Sequence, residues 1–211
     1  MPPRSTLSPR RRRLGICKRR VDGRCRLERP PVSAPAGFAA AHLAPWPPLG
    51  RSGAFSGQLF AGHHCGTLGW HSDARGYRYE RCDPLSGLPW PEMPSIFLDL
   101  AQAAAAAVGY PQFLPDACLI NRYAGKAKMG AHRDADERDF SQPIVSVTLG
   151  AAATFLWYGA SRSGPSTKIR LEPSDVLVWG RAARRGYHAV GQAEGAAAGA
   201  VRINLTFRKA G

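Results

Sequence analysis

The sequence lacks several features that would assign it to common protein classes. Its 211 residues contain no apolar run of about 18 residues, so neither a membrane-spanning helix nor a membrane partner is expected. No apolar segment follows the arginine run at 10–13, as a secretory signal would require. The five cysteines are odd in number and form no Cys-x-x-Cys pair, which argues against a disulfide framework or a thiolate zinc site. Reduced thiols in the cytoplasm fit this pattern best.

Acidic residues are scarce. The chain has 15 Asp and Glu and 29 Lys and Arg, which gives a formal net charge of +14. The excess is concentrated in residues 1–31, which hold 11 Lys and Arg and only 2 Asp and Glu. A basic end of this kind predicts a polyanionic partner such as nucleic acid. A solvated, disordered tail is the more common reason for such a block of charge.

Two segments of the chain differ in composition and in the periodicity of their apolar residues. Residues 1–62 are basic and rich in Pro, Arg and Gly, and they show no sustained period of 3.6 or 2 residues. This predicts an irregular segment that cannot bury enough apolar surface to become ordered. It is either a genuine nucleic-acid-binding arm or the product of a shifted reading frame. Residues 63–211 are long enough for one folded domain with a core of its own.

Apolar side chains at helical spacing predict one amphipathic helix over residues 95–108, which begins after Pro94 and ends before Gly109 and Pro111. After Pro115 the pattern changes to short alternating stretches separated by turn residues. One helix followed by many short strands indicates a mostly β domain, an antiparallel double-sheet roll packed on a helix. The predicted strands are 117–123, 144–149, 154–158, 168–171, 176–179 and 201–208.

A short motif at His132 and Asp134 places an imidazole and a carboxylate two residues apart. On a strand these two side chains would share a face and could grip one ion. His188, in a loop-like stretch after the 176–179 strand, would complete two histidines and one carboxylate, the ligand set of non-haem iron(II) oxygenases. A zinc hydrolase would use similar ligands, and a His-x-Asp match taken alone is only a hypothesis.

The last predicted strand carries a polar residue at every second position. Arg202, Asn204 and Arg208 alternate with apolar residues, so both guanidiniums lie on one face. Inside a barrel they would need anionic partners, and a dicarboxylate matches their bidentate geometry. Binary patterning alone favours a solvated edge strand instead. Asn121 and Tyr123 alternate in the same way on an earlier strand and could bind the same small anion.

Longer motifs occur in the order and spacing of a known enzyme family. They are Gly-Thr-Leu-Gly-Trp at 66–70, Arg-Gly-Tyr-Arg-Tyr at 75–79, Cys-Leu-Ile-Asn-Arg-Tyr at 118–123, His-Arg-Asp-Ala-Asp-Glu at 132–137, Pro-Ile-Val-Ser-Val-Thr-Leu-Gly at 143–150, Asp-Val-Leu-Val-Trp-Gly at 175–180 and Arg-Ile-Asn-Leu-Thr-Phe-Arg at 202–208. Together they resemble the AlkB family of iron(II)- and 2-oxoglutarate-dependent dioxygenases, in its bacterial form, from about residue 65 to residue 210.

The resemblance implies a double-stranded β-helix, or jelly-roll, that uses iron(II), 2-oxoglutarate and dioxygen. The iron ligands that it implies are His132, Asp134 and His188. The residues that it implies for 2-oxoglutarate are Asn121, Tyr123, Arg202, Asn204 and Arg208. The positions that it implies for the substrate nucleotide are Trp70, Tyr77, Asp136 and Arg162. Trp70 and His132 would flank the damaged base, Tyr77 would bind a backbone phosphate, and Asp136 would read the alkylated ring.

The reaction implied by the resemblance is oxidative demethylation of N-alkylated bases, such as N1-methyladenine or N3-methylcytosine, in single- or double-stranded DNA or in RNA. 2-Oxoglutarate would be decarboxylated to succinate and carbon dioxide, and the methyl group would leave as formaldehyde. Two alternatives stay open: a 2-oxoglutarate hydroxylase for another substrate, and a nucleic-acid-binding protein with an uncoupled or inactive dioxygenase core. The family's lid segment has no match in residues 1–62. We expect a cytoplasmic monomer.

Overall fold

The computed structural model describes residues 16–20 and 61–211, with side chains from residue 63 onward. Within these ranges the chain forms twelve β-strands and one α-helix. The strands are β1 Ile16–Arg20, β2 Ala61–Gly66, β3 Gly69–Asp73, β4 Gly76–Glu80, β5 Ala117–Tyr123, β6 Met129–His132, β7 Ile144–Gly150, β8 Ala153–Gly159, β9 Thr167–Leu171, β10 Asp175–Trp179, β11 Tyr187–Ala193 and β12 Arg202–Arg208. The helix, α1, spans Ser95–Ala106 and lies between β4 and β5 in the sequence.

Ten of these strands form two antiparallel sheets. The larger sheet has the strand order β1-β10-β7-β12-β5-β2, and the smaller has the order β6-β11-β8-β9. β3 and β4 form a separate hairpin. Leu177 and Trp179 of the larger sheet share a buried cluster with Phe155 and Val190 of the smaller, so the two sheets pack face to face. The predicted jelly-roll, mostly β with a flanking helix, is therefore confirmed.

Helix α1 covers the outer face of the larger sheet. Phe97, Ala101 and Ala105 recur every four residues, which places them on one side of the helix, and all three are buried. They pack in one cluster with sheet residues such as Phe207, whose ring meets that of Phe97 edge to face at 6.0 Å. The helix ends two residues before its predicted end, and the chain then turns at Gly109, whose φ is +94°. Across the described part of the chain, no helix is long and apolar enough to cross a membrane.

Strand β12 lies in the middle of the larger sheet, between β7 and β5. One face sends Leu205 and Phe207 into the core beneath α1. The opposite face sends Arg202, Asn204 and Arg208 toward the smaller sheet, and all three are buried. The alternation predicted from the sequence is present. The solvated edge strand is excluded, because β12 has a partner strand on each side.

Strand β1 occupies one edge of the larger sheet, where it pairs with β10 in antiparallel register. An irregular segment was predicted at 1–62, and this strand is an exception to that prediction. Pairing at an open sheet edge joins backbone groups, so a segment can add to the edge without an alternating pattern of its own. The rest of the predicted extension lies outside the described residues, apart from the start of β2.

Two strands that hold predicted metal ligands escaped prediction. His188 lies on β11, so the prediction of a loop-like stretch is wrong. Three consecutive residues of β11 from His188 onward are buried, and its pairing with β6 shifts register after His188, which removes the alternation that marks a strand. β6 has only four residues and ends at His132. Asp134 lies beyond this end, so His132 and Asp134 do not share a strand face as predicted.

His64, on β2, is buried beside the ring of Trp90, with ring centroids 5.0 Å apart. Burial lowers its pKa from 6.5 to about 4, and the charge of Arg208 contributes to the shift. The folded protein therefore keeps His64 neutral, whereas the unfolded chain binds a proton below pH 6.5. Between pH 6.5 and 4, this residue should lower the free energy of unfolding by up to about 3 kcal/mol. Urea denaturation of the wild type and of His64→Gln should show a shallower pH dependence for the variant, and parallel curves would contradict the prediction.

Candidate active site

A cavity of about 330 Å³ lies between the two sheets. Its walls come from the inner faces of both sheets, from the β3–β4 hairpin and from the segment that follows β6. The cavity brings together all the residues that were predicted from the sequence to bind iron, 2-oxoglutarate or substrate. These are Trp70, Tyr77, Asn121, Tyr123, His132, Asp134, Asp136, Arg162, His188, Arg202, Asn204 and Arg208.

His132, Asp134 and His188 form a cluster whose potential ligand atoms all lie within 4.8 Å of one another. Antiparallel pairing of β6 with β11 places His132 opposite His188, and their ring centroids are 4.4 Å apart. The Nδ1 atoms of these rings lie 2.8 Å from the carbonyl of Gly130 and 3.1 Å from that of Gly186, respectively. With a proton on each Nδ1, the two rings donate to these carbonyls and keep both Nε2 atoms for a metal ion.

The electrostatics of Asp134 favour a bound cation. Burial opposes ionisation, but the charge of Arg208, with those that the two histidines carry when protonated at low pH, outweighs it and holds the pKa of Asp134 below its usual range. Nη2 of Arg208 donates to Oδ1 of Asp134 at 2.9 Å, while Oδ2 is buried without a hydrogen-bond partner, 3.7 Å from Nε2 of His188. Burial and the neighbouring His132 lower the pKa of His188 to about 4, so its ring is neutral, as a metal ligand must be. The donor set therefore fits a divalent cation such as iron(II).

Arg202 begins β12 and is 1% exposed. Its Nη2 donates to the hydroxyl of Thr148 at 3.0 Å, and its guanidinium carbon lies 5.1 Å from the centre of the Tyr123 ring. Nε and Nη1 have no hydrogen-bond partner within the described residues. A buried guanidinium with two unpaired donors is costly in free energy unless an anion binds it. The arrangement therefore fits a carboxylate held in bidentate geometry.

The two asparagines that line the cavity from β5 and β12, Asn121 and Asn204, differ in their capacity to bind a ligand. Asn204 is engaged, because its Nδ2 donates to the hydroxyl of Ser146 at 2.8 Å and to the carbonyl of Val147 at 2.9 Å. Its Oδ1 accepts from Thr206 at 3.3 Å. Asn121 lies opposite Asn204 across the β5–β12 ladder, and its Oδ1 is buried without a partner. Asn204 therefore ties β12 to β7, whereas the amide of Asn121 retains hydrogen-bonding capacity for a bound molecule.

The β3–β4 hairpin presents three aromatic side chains to the cavity, Trp70, Tyr77 and Tyr79. Trp70 and Tyr77 stack with ring centroids 5.3 Å apart and an interplanar angle of 12°. The indole N–H of Trp70 donates to Oδ2 of Asp136 at 2.9 Å, and Tyr77 is 51% exposed. Arg162 donates from Nε to the carbonyl of Ala131 at 3.1 Å, which fixes it beside the end of β6. Aromatic faces next to a carboxylate suit a flat, cationic ring.

Arg184 and Glu137 also belong to the site, although no role was assigned to either from the sequence. The guanidinium of Arg184 donates to the carbonyl of Asp134 at 3.0 Å, to the carbonyl of Gln142 at 3.1 Å and to Glu137 at 3.0 Å. Both side chains are 2% exposed. Arg184 and its neighbour Arg185 look alike in the sequence, so no local signal indicates which of them turns inward.

Comparisons with known proteins identify the family. Residues 48–208 match the 2OG-Fe(II) oxygenase superfamily. The chain is 48% identical over 151 residues to the alpha-ketoglutarate-dependent dioxygenase AlkB of Escherichia coli (strain K12), and the match covers 70% of each protein. The chain belongs to the AlkB family. Among further relatives of this AlkB-family protein is the nucleic acid dioxygenase ALKBH1 of Homo sapiens, 29% identical over 126 residues that cover 59% of this chain and 30% of that protein. The solved structure of OsALKBH1 aligns with a TM-score of 0.59 at 27% identity, covering 71% of this chain and 78% of that one.

As an AlkB-family member, the protein is a dioxygenase that requires iron(II), 2-oxoglutarate and dioxygen. The unpartnered carboxylate oxygen of Asp134 and the two unpaired donors of Arg202 fit these groups. Family membership also excludes a zinc hydrolase, an alternative with which the two histidines and one carboxylate are compatible when taken alone.

Replacing Arg202 by Met should have opposite effects on ligand binding and on stability. Loss of charge-assisted hydrogen bonds to a carboxylate should weaken 2-oxoglutarate binding by roughly 100-fold or more. Removing an incompletely paired buried cation should leave the ligand-free AlkB-family protein at least as stable as the wild type. Thermal unfolding in Mn(II), with and without 2-oxoglutarate, measures both effects. A variant that keeps the wild-type stabilisation by 2-oxoglutarate would contradict the assignment.

Proposed function

We propose that this AlkB-family dioxygenase oxidatively demethylates N-alkylated bases in nucleic acid, with N1-methyladenine and N3-methylcytosine in DNA or RNA as its substrate class. The observation that carries the proposal is a single cavity in which two histidines and a carboxylate that could hold a metal ion, two buried arginines and a stacked aromatic pair meet. The name of the human relative, a nucleic acid dioxygenase, supports the substrate class.

His132, Asp134 and His188 would hold iron(II) through two Nε2 atoms and a carboxylate oxygen. Bound iron(II) and 2-oxoglutarate would activate dioxygen, which supplies the oxidising power, and the protein supplies position and charge. Arg208 already contacts Asp134, so it would take the 2-oxoglutarate carboxylate nearer the metal. Arg202, at the other end of β12, would take the distal carboxylate.

Three further residues would complete the 2-oxoglutarate site. Asn121 would use its unpartnered amide, Tyr123 would support the guanidinium of Arg202, and Asn204 would hold β12 in place against β7. Burial raises the pKa of Tyr123, so its phenol stays protonated and can donate a hydrogen bond. The strands thus orient one dicarboxylate from several sides at once.

The alkylated base would enter between Trp70 and His132. A carboxylate such as Asp136 favours a cationic methylated ring over a neutral one. Tyr77 and Arg162 would contact the phosphate backbone on either side of the base. An alkylated base pairs poorly and leaves the duplex at lower cost, and stacking on Trp70 would offset about 1–3 kcal/mol of that cost.

The proposal is tested by measuring succinate and formaldehyde released from a single-stranded oligonucleotide that contains N1-methyladenine, with the unmethylated oligonucleotide as control. We expect the two products in equal amounts, and formaldehyde only from the methylated strand. Binding without turnover would favour the inactive-core alternative. Turnover of an unrelated small molecule, with none on methylated DNA or RNA, would favour the other hydroxylase.

Asp136→Ala should lose demethylation and retain 2-oxoglutarate binding, because the carboxylate faces Trp70 and is not part of the metal cluster. The loss of one hydrogen bond to a charged group predicts a fall in kcat/KM of roughly 10- to 150-fold. Asp139→Ala, in the same segment, is the matched control, because Asp139 bonds its neighbours Ser141 and Gln142 and does not line the cavity. Equal loss of 2-oxoglutarate binding and of demethylation in Asp136→Ala would remove its role in substrate recognition.

We also propose that the protein acts as a monomer in the cytoplasm. All the residues predicted to bind iron, 2-oxoglutarate or substrate converge on one cavity of a single chain, so the predicted site is complete without a residue from a second copy. Cys65, Cys82 and Cys118 are free thiols, which a reducing compartment would preserve. Light scattering on the purified protein tests the monomer, and a dimer at working concentration would contradict it.

A further inference from the structure

A chain of polar contacts joins the β3–β4 hairpin to the metal cluster. Tyr79, on β4, donates its O–H to Oε1 of Glu137 at 2.8 Å. The same Oε1 lies 3.2 Å from Nε of Arg208, and Nη2 of Arg208 donates to Asp134 at 2.9 Å. The four residues therefore form one continuous chain of polar contacts. It connects the part of the protein that carries Trp70 directly to a predicted metal ligand.

The hairpin depends on side-chain contacts of this kind for its position. Among the described strands, β3 and β4 pair only with each other. Two hydrogen bonds tie the hairpin to the segment after β6, one from Trp70 to Asp136 and one from Tyr79 to Glu137. That segment also contains Asp134. A base held between Trp70 and His132 would bridge the hairpin to the end of β6, so its binding would keep the hairpin seated with the Tyr79–Glu137 bond formed.

One carboxylate oxygen of Glu137 links the position of the hairpin to the orientation of Arg208. Oε2 of Glu137 accepts from Arg184, whereas Oε1 accepts from Tyr79 and lies at ion-pair distance, 3.2 Å, from Nε of Arg208, which has no hydrogen-bond partner among the described residues. When the hairpin is seated, the Tyr79 hydroxyl satisfies part of that oxygen, and Arg208 is drawn less strongly toward Glu137. Arg208 is then oriented toward Asp134 and toward a carboxylate bound beside it. Withdrawal of the hairpin would remove the hydroxyl and strengthen the competing pull of Glu137.

We propose that Tyr79 and Glu137 are positioning residues that couple nucleic-acid binding at the hairpin to 2-oxoglutarate binding at Arg208. The inference rests on the proposed function, since it takes methylated nucleic acid as the ligand of the hairpin. Coupling between two binding sites is reciprocal, so each ligand tightens the other by the same factor. Tyr79 and Glu137 line the same cavity, and in this scheme they act on 2-oxoglutarate through Arg208 without contacting either ligand.

The test compares 2-oxoglutarate affinities by calorimetry, without dioxygen and with Mn(II) in place of iron, in the presence and absence of the N1-methyladenine oligonucleotide. For the wild type we expect binding about 5-fold tighter with the oligonucleotide. For Tyr79→Phe, which removes only a hydroxyl, the ratio should fall toward unity, because Arg208 would no longer respond to the seating of the hairpin. Tyr158→Phe is the matched control, because Tyr158 lies on β8 and does not line the cavity. It should keep the wild-type ratio.

Turnover supplies a second readout. The coupled reaction converts one 2-oxoglutarate, one dioxygen and one N-methyl group into succinate, carbon dioxide, formaldehyde and the demethylated base. The uncoupled reaction converts one 2-oxoglutarate and one dioxygen, with two electrons and two protons from ascorbate, into succinate, carbon dioxide and water. In the presence of ascorbate, Tyr79→Phe should release more succinate than formaldehyde, whereas the wild type and Tyr158→Phe should release them in near-equal amounts.

The outcomes separate this inference from the function on which it rests. A wild-type protein that demethylates the oligonucleotide but shows no tightening of 2-oxoglutarate would overturn the coupling and leave the proposed function standing. The same ratio in Tyr79→Phe as in the wild type would overturn the role of Tyr79. A wild type that neither binds nor demethylates any methylated oligonucleotide would overturn both.

Discussion

His132→Ala is expected to abolish turnover and metal binding while leaving the fold in place. Loss of residues that merely support metal ligands weakens metal affinity by about 10- to 100-fold, so loss of a ligand should exceed the upper end of that range. The imidazole of His132 is only half-buried and its Nδ1 contacts a single backbone carbonyl, so its removal leaves no buried charge unpaired. Mn(II) titration and succinate release measure the two losses, and thermal unfolding without metal checks the fold.

His71→Ala is the matched control for that experiment. His71 is another histidine of the domain, on β3, and it faces Asp73 at 3.6 Å outside the metal cluster. It should retain metal affinity and succinate release close to those of the wild type. Equal metal affinities in His132→Ala and the wild type would show that the cluster is not the metal site.

Arg184→Met should produce the largest loss of stability of any substitution considered. It removes the guanidinium that donates hydrogen bonds to the carboxylate of Glu137 and to the carbonyls of Asp134 and Gln142. Removing one partner of a buried ion pair costs about 3–5 kcal/mol, because the other charge remains buried. For a domain of this size that corresponds to a fall in the unfolding midpoint of roughly 10 °C or more. Denaturant and thermal unfolding of the metal-free protein measure it.

The adjacent residue provides the comparison. Arg185 is exposed, and its guanidinium lies 4.2 Å from the centre of the Phe140 ring. Arg185→Met should therefore cost no more than about 1 kcal/mol, the size of an exposed cation–π contact. Equal losses in the two variants would mean that burial of the Arg184 network contributes nothing beyond a surface contact.

Elements whose two faces meet different surroundings were the predictable part of the fold. Helix α1 and strand β12 each bury one side in the core beneath the helix, so their apolar residues repeat with the period of the element. β5 was predicted with its observed bounds for the same reason. β10 was recognised despite burial of all five residues, because a short apolar run between turn residues is itself a strand signal.

Strands whose position is set by pairing with neighbouring strands could not be predicted from the sequence. β11 is mostly buried and changes register against both of its neighbours, so its sequence has no clear alternation. β6 has four residues, too few to show a period. β1 is placed by pairing with the edge of β10, a backbone interaction that leaves no pattern in the side chains.

The sequence by itself determined which chemical groups are available and, through the family motifs, which family they belong to. It placed the two histidines, the carboxylate and the two arginines in the right order, because short motifs keep their residues close together in the chain. Only the tertiary structure decided which arginine meets a carboxylate of the protein. Arg208 meets Asp134, 74 residues away, whereas Arg202 bonds the hydroxyl of Thr148 and meets no carboxylate among the described residues. The physical reason is that burial and pairing depend on contacts between distant segments, and no local pattern of residues records them.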